Sequence, residues 1–467
     1  MALPFPSIHA AKACVDYVTK RNRSDGKDTL LVEDISIQVF SVGSKIAVVF
    51  FPQSRTPHVV PFWQNTGTGI SSRQAEEALN HMNHIQDLSA ENSVQISTED
   101  GPTHELLSRI AGLLNRARAS GKPQVSQEDV YLFQTGMTAI FYVHSFLSKW
   151  QPNVNSKVVQ LGVPFHQTTN IFSWWGPGLQ FFPAVTELDA LEDYLKVELA
   201  ASRPVKTVWT EVPTNPLLTT PDLLRLRELA NKYRFVVIVD DTVGSFCNVD
   251  VLDFADIVLT SLTKSFSGYA DVMGGSAVLS KASPVYSELT AIFQTEYHND
   301  VFTADILTLL HNSADYMQRS SILNSNAKRL VEYLHSTISD PDSSVTTVFY
   351  PTLSTTNASY DALKRPETGD FVPGYGSLFS IDFGSLEETI AFYNNLHFHH
   401  GPHLGAHRTI ALAYVKAAYS EKIPEGENWG MQDTQIRIAV GLEDFDTLLA
   451  TFKHALKFSS AVKLGRK

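Results

Sequence analysis

Ser261-Leu262-Thr263-Lys264-Ser265-Phe266-Ser267-Gly268 follows directly on the apolar run Asp256-Ile257-Val258-Leu259-Thr260. A lysine at the end of a buried strand, with two hydroxyls just before it, suits an imine bond to an aldehyde cofactor whose phosphate those hydroxyls grip. Burial lowers an ammonium pKa and frees the amine for carbonyl chemistry. A surface lysine after a strand is the commoner source of such a run, so its neighbours decide the reading.

Upstream, Phe235-Val236-Val237-Ile238-Val239-Asp240 is an apolar run ending in a carboxylate. Such runs read as central parallel strands, and ligands of doubly wound sheets collect at the strands' carboxyl ends. Asp240 there suits a salt bridge to a pyridinium nitrogen; the alternative is a cap for the following turn. Thr207-Val208-Trp209-Thr210-Glu211, then Pro213-Thr214-Asn215-Pro216, repeats the pattern and turns Asn215 toward the same crevice, where it could hold a phenolic oxygen. Earlier, Asp129–Phe133 leads into Gln134-Thr135-Gly136-Met137 and a helix-like stretch. A glycine at a strand-to-helix turn lets backbone amides approach a phosphate, although alone it is a generic tight turn. The four elements together place suitable groups along one edge of one sheet.

At 467 residues the chain exceeds the ~250–300 at which single cores stop growing, so more than one domain is expected. With 43% hydrophobic and 18% charged residues it reads as an ordinary globular chain. A net charge of -12 argues against nucleic acid or an anionic membrane as partner. Cys14 and Cys247 make no disulfide framework, and no apolar run is long enough to span a bilayer. No secretory signal is evident near Met1–Ala13, and a cytoplasmic location is expected.

The chain resembles the cystathionine γ-synthase group of pyridoxal-phosphate enzymes, within the Cys/Met-metabolism family of the aspartate-aminotransferase fold. The residues carrying the resemblance are Thr135-Gly136-Met137, Glu211–Pro216, Val239-Asp240-Asp241-Thr242, Ser261–Lys264, Asp271-Val272-Met273-Gly274-Gly275 and Arg437–Asp444. Phe62-Trp63-Gln64, followed by Gly69-Ile70-Ser71-Ser72-Arg73, is similar to the fungal branch. The similarity runs from about Leu30 to about Leu448. It implies an α/β fold of the fold type I PLP class, with a large cofactor domain on a parallel or mixed sheet and a smaller α+β C-terminal domain. The expected division is an N-terminal extension and arm over 1–115, a cofactor domain over 116–320 and a small domain over 321–467. Strands are expected at Val345–Phe349, Ser377–Phe383 and Gln435–Val440, and helices at Asp222–Lys232 and Leu386–Leu396. A long helical connection is expected over Thr303–Ser336, and Ser354–Pro373, rich in Ser, Thr, Asn and Pro, reads as a mobile loop.

Carried over residue by residue, the resemblance implies that Lys264 bonds pyridoxal 5′-phosphate and moves protons, and that Asp240 pairs with its pyridine nitrogen. Ser261, Thr263 and the amides of Gly136 and Met137 would hold the phosphate. Arg437 would grip an amino-acid carboxylate in a bidentate geometry that lysine cannot copy; the alternative is a salt bridge to Asp433 or Glu443. Three departures from the family pattern stand out. Phe165 replaces the ring-stacking Tyr, so it can stack but not move a proton. The Tyr and Arg that a neighbouring subunit lends to the phosphate fall at Ala90 and Asn92, or at Ile96 and Thr98 in another register, so either the phosphate is bound more weakly or Arg73 or another cation substitutes. His403 stands in Gly401-Pro402-His403-Leu404-Gly405 where the fungal enzymes carry Ser, and its ring suits acid–base work. His397, His399, His400, His403 and His407 raise the question of a metal. Gly401-Pro402 interrupts the helix spacing that ligands would need, and no metal is expected.

The expected activity is γ-replacement on an O-acyl-L-homoserine, with cysteine or a carbon acid such as a β-keto acid as nucleophile. The alternatives are a β/γ-lyase and a non-catalytic paralogue. The partners expected are an amino-acid substrate, a small-molecule nucleophile and further copies of the chain, as a dimer or tetramer.

Overall fold

In the computed structural model, which describes residues 1–20, 26–88, 101–151, 156–419, 423 and 429–465, the apolar runs line up as one seven-stranded sheet. Its order is Val130–Phe133, Gly275–Leu279, Ile257–Thr260, Val236–Asp240, Thr207–Glu211, Val158–Leu161, Leu179–Phe182. Gly275–Leu279 is antiparallel to both neighbours, and the other pairings are parallel. Helices cover both faces, which is why Val236 to Val239 can all be apolar and fully buried. The lysine, the two carboxylates and the glycine turn therefore emerge along one edge.

Ala2–Phe5, Ser44–Phe50, Ser36–Val42 and Gln86–Asp87 form a four-stranded antiparallel sheet, in that order. With helix Ile8–Thr19 it brings Phe5, Val18 and Phe62 into the same core as Phe133, Phe141 and Ile238. The N-terminal region is thus packed into one face of the large sheet. The opposite face is filled by Leu106, Ile110, Val237, Val258 and Ile306.

The expected connection over Thr303–Ser336 is two helices, Thr303–Asn312 and Tyr316–Thr337. Arg319 takes the carbonyl of Asn312 at 2.9 Å, supplying the first helix end with a donor the helix itself lacks. The chain then builds a five-stranded sheet, in the order Val345–Phe349, Leu378–Phe383, Ile436–Ala439, Ile410–Leu412, His399–His400. Phe392 of helix Leu386–Asn395 and Leu448 and Phe452 of helix Phe445–Gly465 share its core. The strands and the helix expected in this part appear within one residue of their predicted ends. Among the described residues no helix is long and apolar enough to cross a membrane.

Ser354–Pro373 is not the loop its composition suggested. It contains helix Asn357–Leu363, with Tyr360, Leu363 and Phe371 buried in the large core. Tyr360 and Leu363 lie three residues apart, hence on one helix face, and that pair outweighs the polar residues around it. The Tyr360 hydroxyl donates to the carbonyl of Gly374 at 3.1 Å. Tyr360→Ala should lower stability by about 3–5 kcal/mol, as for other large core truncations, and Tyr360→Phe by about 1 kcal/mol for the lost hydrogen bond. Equal shifts of the two variants in a urea melt would show that the ring contributes nothing.

Candidate active site

Helix Gly136–Lys149 starts where the strand Val130–Phe133 ends. Thr135 caps it, its Oγ1 accepting from the Thr138 amide at 3.0 Å, which leaves the Gly136 and Met137 amides open at the helix start. Gly136 lies against the lysine strand so closely that a Cβ there would sit 2.7 Å from Ser261 Cβ. A hydrogen at this position leaves room for a phosphate on the helix N-terminus.

Lys264 is half-buried, and the turn carrying it is clamped from two sides. Arg319, itself buried, donates to the carbonyls of Ser265 and Phe266 at 3.0 Å each. From the segment between strands His399–His400 and Ile410–Leu412, His407 donates its amide to Gly268 at 2.8 Å, and Gly405 approaches so near that a Cβ would lie 2.5 Å from the Ser265 nitrogen. Burial, reinforced by the charge of Arg437, lowers the Lys264 ammonium to about 8.

Arg437 comes from the strand Ile436–Ala439 and is 2% exposed. Neither Asp433 nor Glu443 pairs with it: Asp433 bonds Lys416, and Glu443 accepts from the amide and hydroxyl of Thr409. Its guanidinium reaches neutral acceptors instead, Asn215 Oδ1 at 3.3 Å, Pro402 O at 2.5 Å and His403 O at 3.3 Å, and lies 4.3 Å from the Tyr414 ring centroid. Its Nε has no partner among the described residues.

His403 shares this space. Both its ring nitrogens are buried without a side-chain partner among the described residues, the Leu404 backbone being the polar group beside the ring. Burial, then the charges of Lys264 and Arg437, push its pKa down to about 4, so the ring is neutral at pH 7. The other histidines of the run disperse: His400 stacks on Tyr393, His397 lies beside His454 and His407 beside Tyr269. Among the described residues no group of three His, Cys, Asp or Glu is arranged to hold a metal.

Asp240 is half-buried and its Oδ1 accepts from the Thr242 amide at 2.9 Å, so it does cap its turn while standing at the strand end. Asn215 is buried between Arg437 and the Tyr414 hydroxyl, to which its Nδ2 donates at 3.1 Å. Phe165 is tethered through its amide to Glu211, and its ring meets His166 edge-on at 4.5 Å. Thr263 donates its hydroxyl to Gly274 O and accepts from Gly274 N, so its one proton is already engaged; Ser261 has no such side-chain bond among the described residues. Arg73 is held by Asp305 at 3.1 Å and by the Asp271 carbonyl at 2.8 Å. Ala90, Asn92, Ile96 and Thr98 lie outside the described residues.

Tyr414, Glu211 and Arg319 were not assigned site roles from the sequence. Glu211 stood inside a quoted motif, but Tyr414 and Arg319 reach the site only through the packing of other elements and left no local signal.

A strand-end lysine, a carboxylate on the adjacent strand, and a glycine cradle at a helix start define a pyridoxal 5′-phosphate enzyme of the aspartate-aminotransferase type. Lys264, Asp240, Ser261 and the Gly136 and Met137 amides would hold that group. The chain belongs to the Cys/Met metabolism PLP-dependent enzymes, whose family model matches residues 119–457. Residues 1–71 match the N-terminal domain of fungal trans-sulfuration enzymes. The cystathionine gamma-synthase-like enzyme iboG1 of Amanita muscaria is 34% identical, over 97% of this chain and 86% of its own. The alanine racemase ungC of Aspergillus violaceofuscus is 31% identical, over 99% and 86%. The crystal structure of cystathionine gamma synthase from Xanthomonas oryzae pv. oryzae has the same fold, with a TM-score of 0.62 at 23% identity, covering 79% of this chain and 90% of that one.

Because Lys264 falls from 10.5 to about 8 on folding, the unfolded chain holds more protons between those values, and stability rises with pH across that window. At pH 7 the cofactor-free protein bears the full penalty of the buried charge. Lys264→Met should therefore abolish turnover yet raise the melting temperature of the cofactor-free chain at pH 7, the gain shrinking between pH 8 and 10.5. A gain independent of pH would place the ammonium in solvent.

Proposed function

We propose that the chain catalyses γ-replacement on an O-acyl-L-homoserine with a carbon acid, such as a β-keto acid, as nucleophile, in assemblies of two or four copies. The observation that carries the reading is the neutral imidazole of His403, without a side-chain partner among the described residues, beside Lys264 and Arg437. A thiol ionises by itself near ~8.5, whereas a carbon acid needs a base at the site. Pyridoxal 5′-phosphate, when bound, supplies the electron sink that lets protons leave the substrate's α- and β-carbons. Arg437 takes the substrate carboxylate, the anion its guanidinium lacks. The Lys264 amine, with its lowered pKa, accepts and returns the carbon-bound protons. Phe165 covers the reacting face without exchanging a proton, and His403 receives the proton of the incoming nucleophile.

Elimination at the β- or γ-carbon would use the same residues, and exchange of the α-proton alone is suggested by the racemase relative. The presence of Lys264, Asp240 and Arg437 around one cleft speaks against a non-catalytic paralogue. Incubation with O-acetyl-L-homoserine and a panel of thiols and β-keto acids should yield, by mass, a product joined carbon to carbon. Release of a 2-oxo acid alone, or racemised amino acid, would overturn the proposal. His403→Ser should move the kcat/KM ratio of cysteine over β-keto acid upward by a factor of about 100 or more, the usual contribution of a positioned base; an unchanged ratio would remove His403 from the reaction. Light scattering should give a dimer or tetramer, and a stable active monomer would refute the assembly.

A further inference from the structure

Thr207–Glu211 and Val236–Asp240 pair in parallel register, with Glu211 opposite Asp240. Two carboxyl groups thus leave adjacent strand ends side by side. Glu211 is 7% exposed, and among the described residues no cation forms an ion pair with either group. Like charges at such a spacing, withdrawn from water and without a counterion, cannot both persist. Glu211 also has structural work to do: its carboxyl accepts hydrogen bonds from the backbone amides of Phe165 and Asn215, the two loops that flank the cofactor face.

We propose that Glu211 is a positioning residue that acts as a neutral carboxylic acid, clasping the Phe165 and Asn215 loops while leaving Asp240 the only negative charge offered to the cofactor. A protonated carboxyl suits this place. Its carbonyl oxygen accepts from the loop amides, and its O–H can be turned toward Asp240, an acceptor-only group when ionised. A glutamate anion would instead compete with Asp240 for the pyridinium and repel it.

The other groups facing Glu211 act in the same sense. Tyr414 and Tyr419, from the small-domain segment packed over it, are neutral phenols whose pKa values are raised, chiefly by burial and in part by Glu211 itself. Asp241, next to Asp240, is a further carboxyl raised by burial to about 7; it accepts from Thr260 Oγ1 at 2.5 Å and feels Arg365. Arg437 stands with Asn215 and the Tyr414 ring, and it forms no ion pair with Glu211. Burial and then Asp240 drive the Glu211 carboxyl well above its ordinary range; burial raises Asp240 too, and the hydrogen bonds from Thr242 oppose that rise.

The inference rests on the cofactor site alone and is independent of which nucleophile the enzyme uses. Glu211→Gln, Glu211→Ala and the unaltered full-length chain would be compared by melting temperature without cofactor from pH 5 to 9 and by titration with pyridoxal 5′-phosphate. A carboxyl whose pKa is raised in the fold gives stability that is lost as pH climbs from the unfolded value through the folded one. Glutamine presents the same acceptor and donor with no proton to lose. The melting temperature of Glu211→Gln relative to the unaltered chain should therefore increase with pH, and its cofactor affinity should stay within about threefold. Glu211→Ala leaves two buried amides unpaired and should bind cofactor about tenfold or more weakly. A Glu211→Gln difference that does not vary with pH, or cofactor binding as weak as that of Glu211→Ala, would make Glu211 an anion and overturn the proposal. Infrared difference spectra supply a second reading that needs only the unaltered chain and whichever variant folds. The C=O stretch of a protonated carboxyl should be present at pH 7 and lost with Glu211; its absence in the unaltered chain would equally refute the inference.

Discussion

Arg437 is a buried guanidinium with no carboxylate against it among the described residues, and the architecture of the site follows from how that charge is tolerated. A lone buried ion costs several kcal/mol unless dipoles and hydrogen bonds replace its water. Here the replacement is assembled from both domains: the amide oxygen of Asn215 from the large sheet, the carbonyls of Pro402 and His403 from the small one, and the face of Tyr414 beneath. These are weaker partners than an anion, so the position remains electrostatically unsatisfied until one arrives. The same contacts tie the small domain to the strand ends of the large one, which makes the carboxylate pocket and the domain junction a single structure.

The cleft is electrically divided. Lys264, His403 and Arg437 lie together, and burial, then neighbouring positive charge, lowers the proton affinity of the first two. Glu211, Asp240 and Asp241 gather at the neighbouring strand ends of the same edge, where burial raises the proton affinity of each. The positive side is thereby supplied with bases and an anion receptor, the negative side with a carboxylate for a pyridinium. Each half is destabilised in isolation, and the bound cofactor, with a cationic ring and an anionic phosphate, answers both.

Much of this was legible in the chain itself. Strands buried on both faces need unbroken apolar runs, so Phe235–Val239 and Ile257–Thr260 announced the central sheet, and the polar residue closing each run marked the edge where chemistry collects. Gly136 was legible because a tight strand-to-helix turn favours glycine, and in the fold its close approach to Ser261 leaves no room for a Cβ. The stretch Ser354–Pro373 misled because two buried side chains, Tyr360 and Leu363, outweigh a polar composition once a core exists to receive them.

The sequence by itself determined the elements whose signals are local: the strand periods, the helix starts, the glycine turn, the lysine and its neighbouring hydroxyls. Only the tertiary structure decided which side chains far apart in the chain become partners. Tyr414 lies 199 residues from the Asn215 it bonds, and Phe165 lies 46 residues from the Glu211 that holds its amide. Whether His403 is a surface ring or a dehydrated base, and whether Glu211 can keep a charge, depends on what is packed against them. Burial and neighbouring charge set those proton affinities, and neither exists until the chain has folded.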